Sequence, residues 1–299
     1  MAAFPWAKGP PKKILLATDL SCRCDRALDR AAQLARQWDS HLLAVHVLDP
    51  GEMILAESRV DDLVRWRPPQ RVSMAKARIQ RDLLQELPHI LVRVEEGNPA
   101  QVIGEVARAE KCDLIVTGIA RDEVFGLHLL GATVERLVRR TPIPILIVKA
   151  RTRPYREVVV ATDFSDHSIH ALNAAAKFFP EASLTLFHAF ELPFAGLLDK
   201  RGLGDPFGEL EREACEKFLA SSDLSADRRR SIKVVIKNGS PEAALRDYML
   251  EGGVNLVALA THGRSGIYDA LIGSVAKRIL ETAPGDVLLL RDPRTLSRR

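Results

Sequence analysis

The chain reads as one sequence written twice. KKILLATDLS at 12–21 returns as REVVVATDFS at 156–165, and HLLAVHVLDP at 41–50 returns as SLTLFHAFEL at 183–192. VEEGNPAQVI at 94–103 and VIKNGSPEAA at 235–244 share a Gly-x-Pro, Gly97 to Pro99 and Gly239 to Pro241. CDLIVTGIAR at 112–121 matches VNLVALATHG at 254–263, and GATVERLVRRTPIPILIVK at 131–149 matches GSVAKRILETAPGDVLLLR at 273–291. The offset is 144 residues in the first block and 142 in the later ones. A period that long exceeds any solenoid unit, so it marks duplicated domains. The 299 residues leave each copy enough chain to bury its own core. The expected boundary is the charged, proline-containing stretch 150–154, a tight linker between a domain at 1–150 and another at 151–299.

The second copy shows the internal order. Val158-Val159-Val160, ending at Ala161-Thr162-Asp163, suits a strand buried on both faces. Ser165 is the expected N-cap of a helix over 166–179. Further strands are predicted at 184–190, 232–236, 256–260 and 287–290, and a helix at 207–221. Ser240 and Pro241 are suited to the cap and first position of another helix. A last helix over 274–281 is stopped by Pro284. Alternating strands and helices imply a doubly wound parallel sheet with right-handed crossovers. Ligands of such sheets bind at the carboxyl ends of strands beside the topological switch point. The loops after the first and fourth strands are therefore where chemistry is expected.

Composition narrows the partners. Hydrophobic residues make up 46% and charged residues 27%, as in ordinary soluble domains. A net charge of +4 over two domains gives no argument for nucleic acid, and Arg228-Arg229-Arg230 reads as a solvated loop. No apolar run has the length of a membrane span, and MAAFPWAKGPPKK lacks the apolar core of a secretory signal. A cytoplasmic protein without nucleic-acid or membrane partners is expected. Four cysteines without a framework fit a reducing compartment. Cys22 and Cys24 read as helix-start residues, because no second Cys or His pair completes a metal site.

Two places hold unusual residues. Asp19 and Asp163 close the first strand of each copy, where a carboxylate can accept from a ligand or open the next helix. After the fourth strand of the second copy comes Ala260-Thr-His-Gly263-Arg264-Ser-Gly266, then Gly273-Ser274. Glycines allow close backbone approach, and a helix starting at 274 would present free N–H groups and its positive dipole end to an anion. Neither a Walker A loop nor a dinucleotide fingerprint is present, and on its own the stretch suits a surface turn equally. His46 and His188 read as packed histidines near strand ends, and His262 as a turn histidine or a contact to phosphate.

ATDFS, the Gly-x-Pro, THGRSG and GSVAKRIL…APGDVLLL together resemble the universal stress protein (UspA-type) family, in both copies from residue 12 to about 291. The resemblance implies two five-stranded sheets of adenine nucleotide alpha hydrolase-like fold, order 3-2-1-4-5. It also implies homodimers or tandem pseudo-dimers, and ATP binding where G-x2-G-x9-G-[ST] is kept. The second copy matches as Ala260, Gly263, Gly273 and Ser274, with only the first glycine changed. By resemblance Asp163, with Ala161 and Thr162, meets the adenine edge and the backbone near Ala189 flanks the base. Gly263, Arg264, Gly273, Ser274 and Val275 would then surround ribose and phosphates, with or without magnesium. The first copy aligns as Gly118, Arg121, Gly131 and Ala132, which implies a degenerate site. The last strands, 143–148 and 287–290, are expected to pair within the molecule as family dimers do, with further homodimerisation open.

No nucleophile–base signature or catalytic metal motif is present, so a binding protein is expected rather than an enzyme, with slow ATP hydrolysis left open. The alternative is a scaffold of the same fold that binds proteins and no nucleotide. The segments 50–88 and 191–230, which differ between the copies, are where such partners would dock.

Overall fold

The computed structural model describes residues 9–20, 24–49, 72–74, 76–77, 81, 90–119, 123–124, 127–128, 131–191, 206–262 and 272–291. The chain divides into two compact units, one of residues 11–122 and 129–152, the other of 1–10, 123–128 and 153–299.

The first unit contains β1 (Lys13–Ala17), β2 (His41–Leu48), β3 (Leu91–Glu96) and β4 (Leu114–Gly118). Its last strand is β7 (Ile145–Val148); between β4 and β7 in chain order comes a short antiparallel hairpin, β5 (Glu123–Val124) with β6 (Leu127–His128), which belongs to the other unit. The sheet runs β3-β2-β1-β4-β7, with every pair parallel. In the second unit β8 (Glu157–Ala161), β9 (Ser183–Phe190), β10 (Lys233–Asn238), β11 (Leu256–Ala260) and β12 (Asp286–Leu290) run β10-β9-β8-β11-β12, again all parallel. Both sheets thus have the 3-2-1-4-5 order. The chain winds outward from β8 through β9 to β10, then crosses back to β11. The switch point lies between β8 and β11.

Sequence explains this layering. Val158, Val159 and Val160 are fully buried, as a central strand covered on both faces must be. The Asp166–Phe178 helix lies close to the sheet because Ala171, Ala174 and Ala175 are fully buried small residues. Phe178, also fully buried, contributes about 2–3 kcal/mol by leaving water. Asp286 is buried at the start of β12 and accepts from the Tyr155 hydroxyl, which anchors the beginning of the second copy. In the first unit Arg26 donates to Lys149 O at 2.6 Å, so the end of β7 is held by the Asp25–Trp38 helix.

Two local expectations are corrected. Arg228, Arg229 and Arg230 are not a solvated loop but part of a short helix, Ala226–Arg230. Arg228 donates to Ala182 O at 2.6 Å, just ahead of β9, and Arg229 to Ala220 O at 3.0 Å, the last residue of the Pro206–Ala220 helix. Ser240 sits at the N-cap of the Pro241–Gly252 helix, yet its side chain makes no capping bond. Its hydroxyl serves Glu242 instead. Burial works against the charge of Glu242, but its own backbone N–H, Ser240 and Arg278 outweigh that and hold its carboxyl below the ordinary range. Ser165 caps as expected, accepting from Ser168 N at 3.3 Å.

Gly97 and Gly239, the glycines of the two Gly-x-Pro motifs, have φ of 137° and 131°. Each donates its N–H to the end of the neighbouring strand, Gly97 to Leu48 O and Gly239 to Phe190 O. Only glycine takes this backbone without strain, which is why the motif recurs.

A cleft at the carboxyl ends of the second sheet

The sharpest feature of each copy is the turn that leaves its first strand. Leu20 and Phe164 occupy the left-handed region, with φ of 62° and 59°, although both are bulky. The preceding threonine holds the turn. Thr18 Oγ1 accepts from Leu20 N at 3.0 Å, and Thr162 Oγ1 accepts from Phe164 N at 2.9 Å. The carbonyl of each threonine is bound by a histidine from the second strand, His46 Nδ1 at 2.9 Å and His188 Nδ1 at 2.7 Å. A carbonyl only accepts, so Nδ1 carries the proton in both rings. Sequence reading treated these histidines as packing. They are buried or nearly so, and they also fasten the turn; their placement at one repeat position in both copies was the available signal.

In the second copy the same turn orients Asp163, whose Oδ1 accepts from Ser165 N at 3.1 Å and from Ser165 Oγ at 2.6 Å. Ser168, from the next helical turn, reaches back to Thr162 Oγ1 at 2.8 Å. In the first copy Cys24 stands in the place of Ser168. Burial pushes its thiol up to about 11, with Asp19 and Thr18 as hydrogen-bonding neighbours.

Beside this turn a cleft of about 370 Å³ opens at the carboxyl ends of β8, β9 and β11. Ala161, Thr162 and Asp163 form one wall, Ala189 another, and Ala260 a third. Gly273, Ser274 and Val275 close it from the Ser274–Thr282 helix. These are eight of the ten residues that sequence marked; Gly263 and Arg264 lie outside the described residues, as does Arg121 of the first copy. Sequence did not mark Ser168, Phe187, Leu245, Leu259 or Ile279, which also line the cleft. Leu245 and Ile279 belong to apolar helix faces, whose periodicity marks them as buried without indicating a cavity.

The helix end in this cleft is open. Gly273 has no side chain to cap it, and the first intrahelical bond runs from Lys277 N to Gly273 O. The N–H groups of Ser274, Val275 and Ala276 therefore have no partner within the helix, and the positive end of its dipole faces the cleft. Thr261 O fixes this end by accepting from Gly273 N at 2.9 Å, and a Cβ at 273 would meet that oxygen at 3.4 Å. The cleft thus joins apolar walls to a carboxylate on one side and an anion-attracting helix end on the other. Among the described residues no group of three or more His, Cys, Asp or Glu side chains could hold a metal ion.

The universal stress protein family model matches residues 10–149 and again 154–291. The chain belongs to the universal stress protein family. It is 32% identical to a universal stress protein of Thermus aquaticus over 46% of this chain and 98% of the relative. Similarity to a universal stress protein of Mycolicibacterium smegmatis spans 93% of this chain and 96% of that protein at 24% identity, so the tandem arrangement is shared along its length. A universal stress protein from Archaeoglobus fulgidus superimposes with a TM-score of 0.66 over 94% of this chain and 98% of that one. At 17% identity this likeness speaks to the fold alone. Among the described residues no helix is long and apolar enough to cross a membrane.

Proposed function

We propose that the second copy binds ATP or a related adenine nucleotide in the cleft at the ends of β8, β9 and β11, and that the protein acts in the cytoplasm through this binding rather than through turnover. The observation that carries the reading is the meeting of Asp163 and the open N-terminus of the Ser274–Thr282 helix across one mainly apolar cleft. A volume of about 370 Å³ lies in the range of small-ligand sites. The base would lie between the ends of β8 and β9, where Asp163 can accept from its exocyclic amine. Phosphates would meet the N–H groups of Ser274 to Ala276, with or without magnesium. The first copy keeps Asp19, its turn and Gly131 but has Ala132 where the second has Ser274, and we read it as a structural partner. Pairing of the two last strands within one molecule belongs to the same proposal.

Calorimetric titration of the full chain with ATP, AMP and GTP tests this. Saturable binding that prefers adenine and falls with Gly273→Val is expected. The methyl group of Ala260, where the motif has glycine, favours the second reading, a scaffold without nucleotide. No heat with any of the three, in a protein that stays folded, would establish that reading instead.

A further inference from the structure

The Pro206–Ala220 helix connects β9 to β10, and its Glu211 does not itself line the cleft. Yet one face of this helix touches the turn that orients Asp163 at two points. Glu211 Oε2 lies 3.2 Å from His188 Nε2, and the Phe218 ring lies 5.6 Å from that of Phe164. Positions 211 and 218 are two helical turns apart on one face, with buried Cys215 between them. The Phe164 ring in turn packs on the His188 imidazole at 4.3 Å.

The histidine is the link. Its Nδ1–H is committed to the Thr162 carbonyl, so the ring has one orientation and Nε2 must face Glu211. No hydrogen bond joins Glu211 Oε2 to the ring, so the carboxylate acts on the imidazole by charge, attracting a protonated ring and repelling the lone pair of a neutral one. Glu211 thus decides how firmly the imidazole holds the Thr162 carbonyl. Thr162 precedes Asp163 directly, and its hydroxyl holds the amide of Phe164.

We infer that Glu211 is a positioning residue for the cleft, acting through His188 on the Thr162–Asp163 turn and so coupling the Pro206–Ala220 helix to whatever the cleft binds. The affinity part of this inference rests on the adenine-nucleotide reading; the coupling itself does not.

Two readouts on the full chain test it: ATP affinity, and hydrogen exchange of the Phe164 and Ser165 amides, which bond to Thr162 Oγ1 and Asp163 Oδ1. Glu211→Ala should weaken ATP binding by about tenfold, as loss of a close, part-buried charge does, and speed exchange at both amides. Glu211→Gln keeps the bulk but not the charge and should behave as Glu211→Ala does in both. In a His188→Phe background Glu211→Ala should have no further effect. Unchanged exchange in Glu211→Ala, or additive effects of the two substitutions, would overturn the inference. Should the unaltered protein bind no ATP, the nucleotide reading fails, and exchange at Phe164 alone decides the coupling.

Discussion

His188 Nδ1 donates to the carbonyl of Thr162 at 2.7 Å, and this bond has a twin in the first copy, where His46 donates to Thr18 at 2.9 Å. The duplicated bond holds a strained left-handed residue, Leu20 or Phe164, just after the strand. It persists in the copy whose glycine motif has degenerated, so the clamp serves the fold before it serves a ligand. Replacing His46 by Leu removes the donor from the Thr18 carbonyl and should cost about 1–3 kcal/mol. Hydrogen exchange of the β1 and β2 amides reads the loss within the first unit. Unchanged protection there would mean that the bond contributes nothing.

Gly239 and Gly285 should resist substitution for different reasons. Gly239 has φ of 131° with open space around it, so alanine there is strained by its backbone alone. At Gly285 a Cβ would lie 2.7 Å from the carbonyl carbon and oxygen of Asn255 and 3.0 Å from Met249 Cε. Gly285→Ala must therefore push β11 and β12 apart, at a cost of about 1–3 kcal/mol. Denaturant midpoints of both variants should fall. Compensating Met249→Ala should leave the Gly285→Ala deficit in place, because the backbone clash remains; full rescue would contradict this.

The described cysteines should be unreactive in the folded protein. Burial pushes the thiols of Cys24, Cys112 and Cys215 up to about 11, with Asp19 contributing at Cys24, so little thiolate exists near neutrality. Iodoacetamide at neutral pH, followed by mass mapping, should leave all three unmodified until urea is added. Rapid native labelling of Cys112 or Cys215, both buried, would show that their surroundings open.

Glu110 should make the first unit sensitive to acid. Lys13 Nζ, bonded to it at 2.6 Å, holds its carboxyl below the ordinary value of 4.5, with Arg93 adding to the effect. A lowered folded value means that the stabilisation is present above the unfolded value and lost as pH falls through the folded one. The stability difference between the unaltered chain and Glu110→Gln should therefore shrink from about pH 6 to pH 3. A constant difference across that range would mean that the ion pair does not contribute.

Much of this was legible in the sequence because it depends on backbone topology. Runs such as 158–160 announce buried strands, the repeat announces two sheets, and the doubly wound order brings the ends of β8 and β11 together. The loops holding Asp163 and Gly273 could be picked out on that ground, while Ala260 was marked by the resemblance to the family motif. What remained hidden depends on the direction of side chains. Ser168 reaches back to Thr162, Arg228 turns to the carbonyl of Ala182 ahead of β9, and the Ser240 hydroxyl takes Glu242 in place of a helix amide. The Arg228 partner is distant in sequence, and in the two local cases several neighbouring groups compete for the same hydroxyl, so no spacing rule carries that information. His188 was visible as a repeated residue, but its role required the positions of Thr162 and Glu211 together.

On the proposed reading, the second copy holds an adenine nucleotide between Asp163 and the Ser274–Thr282 helix. The most direct measurement is calorimetric titration of ATP into the full chain alongside its Gly273→Val and Gly131→Val variants. Binding to a single site, abolished by Gly273→Val and kept by Gly131→Val, is the predicted result. Absence of binding to the unaltered chain, or loss only in Gly131→Val, would contradict it.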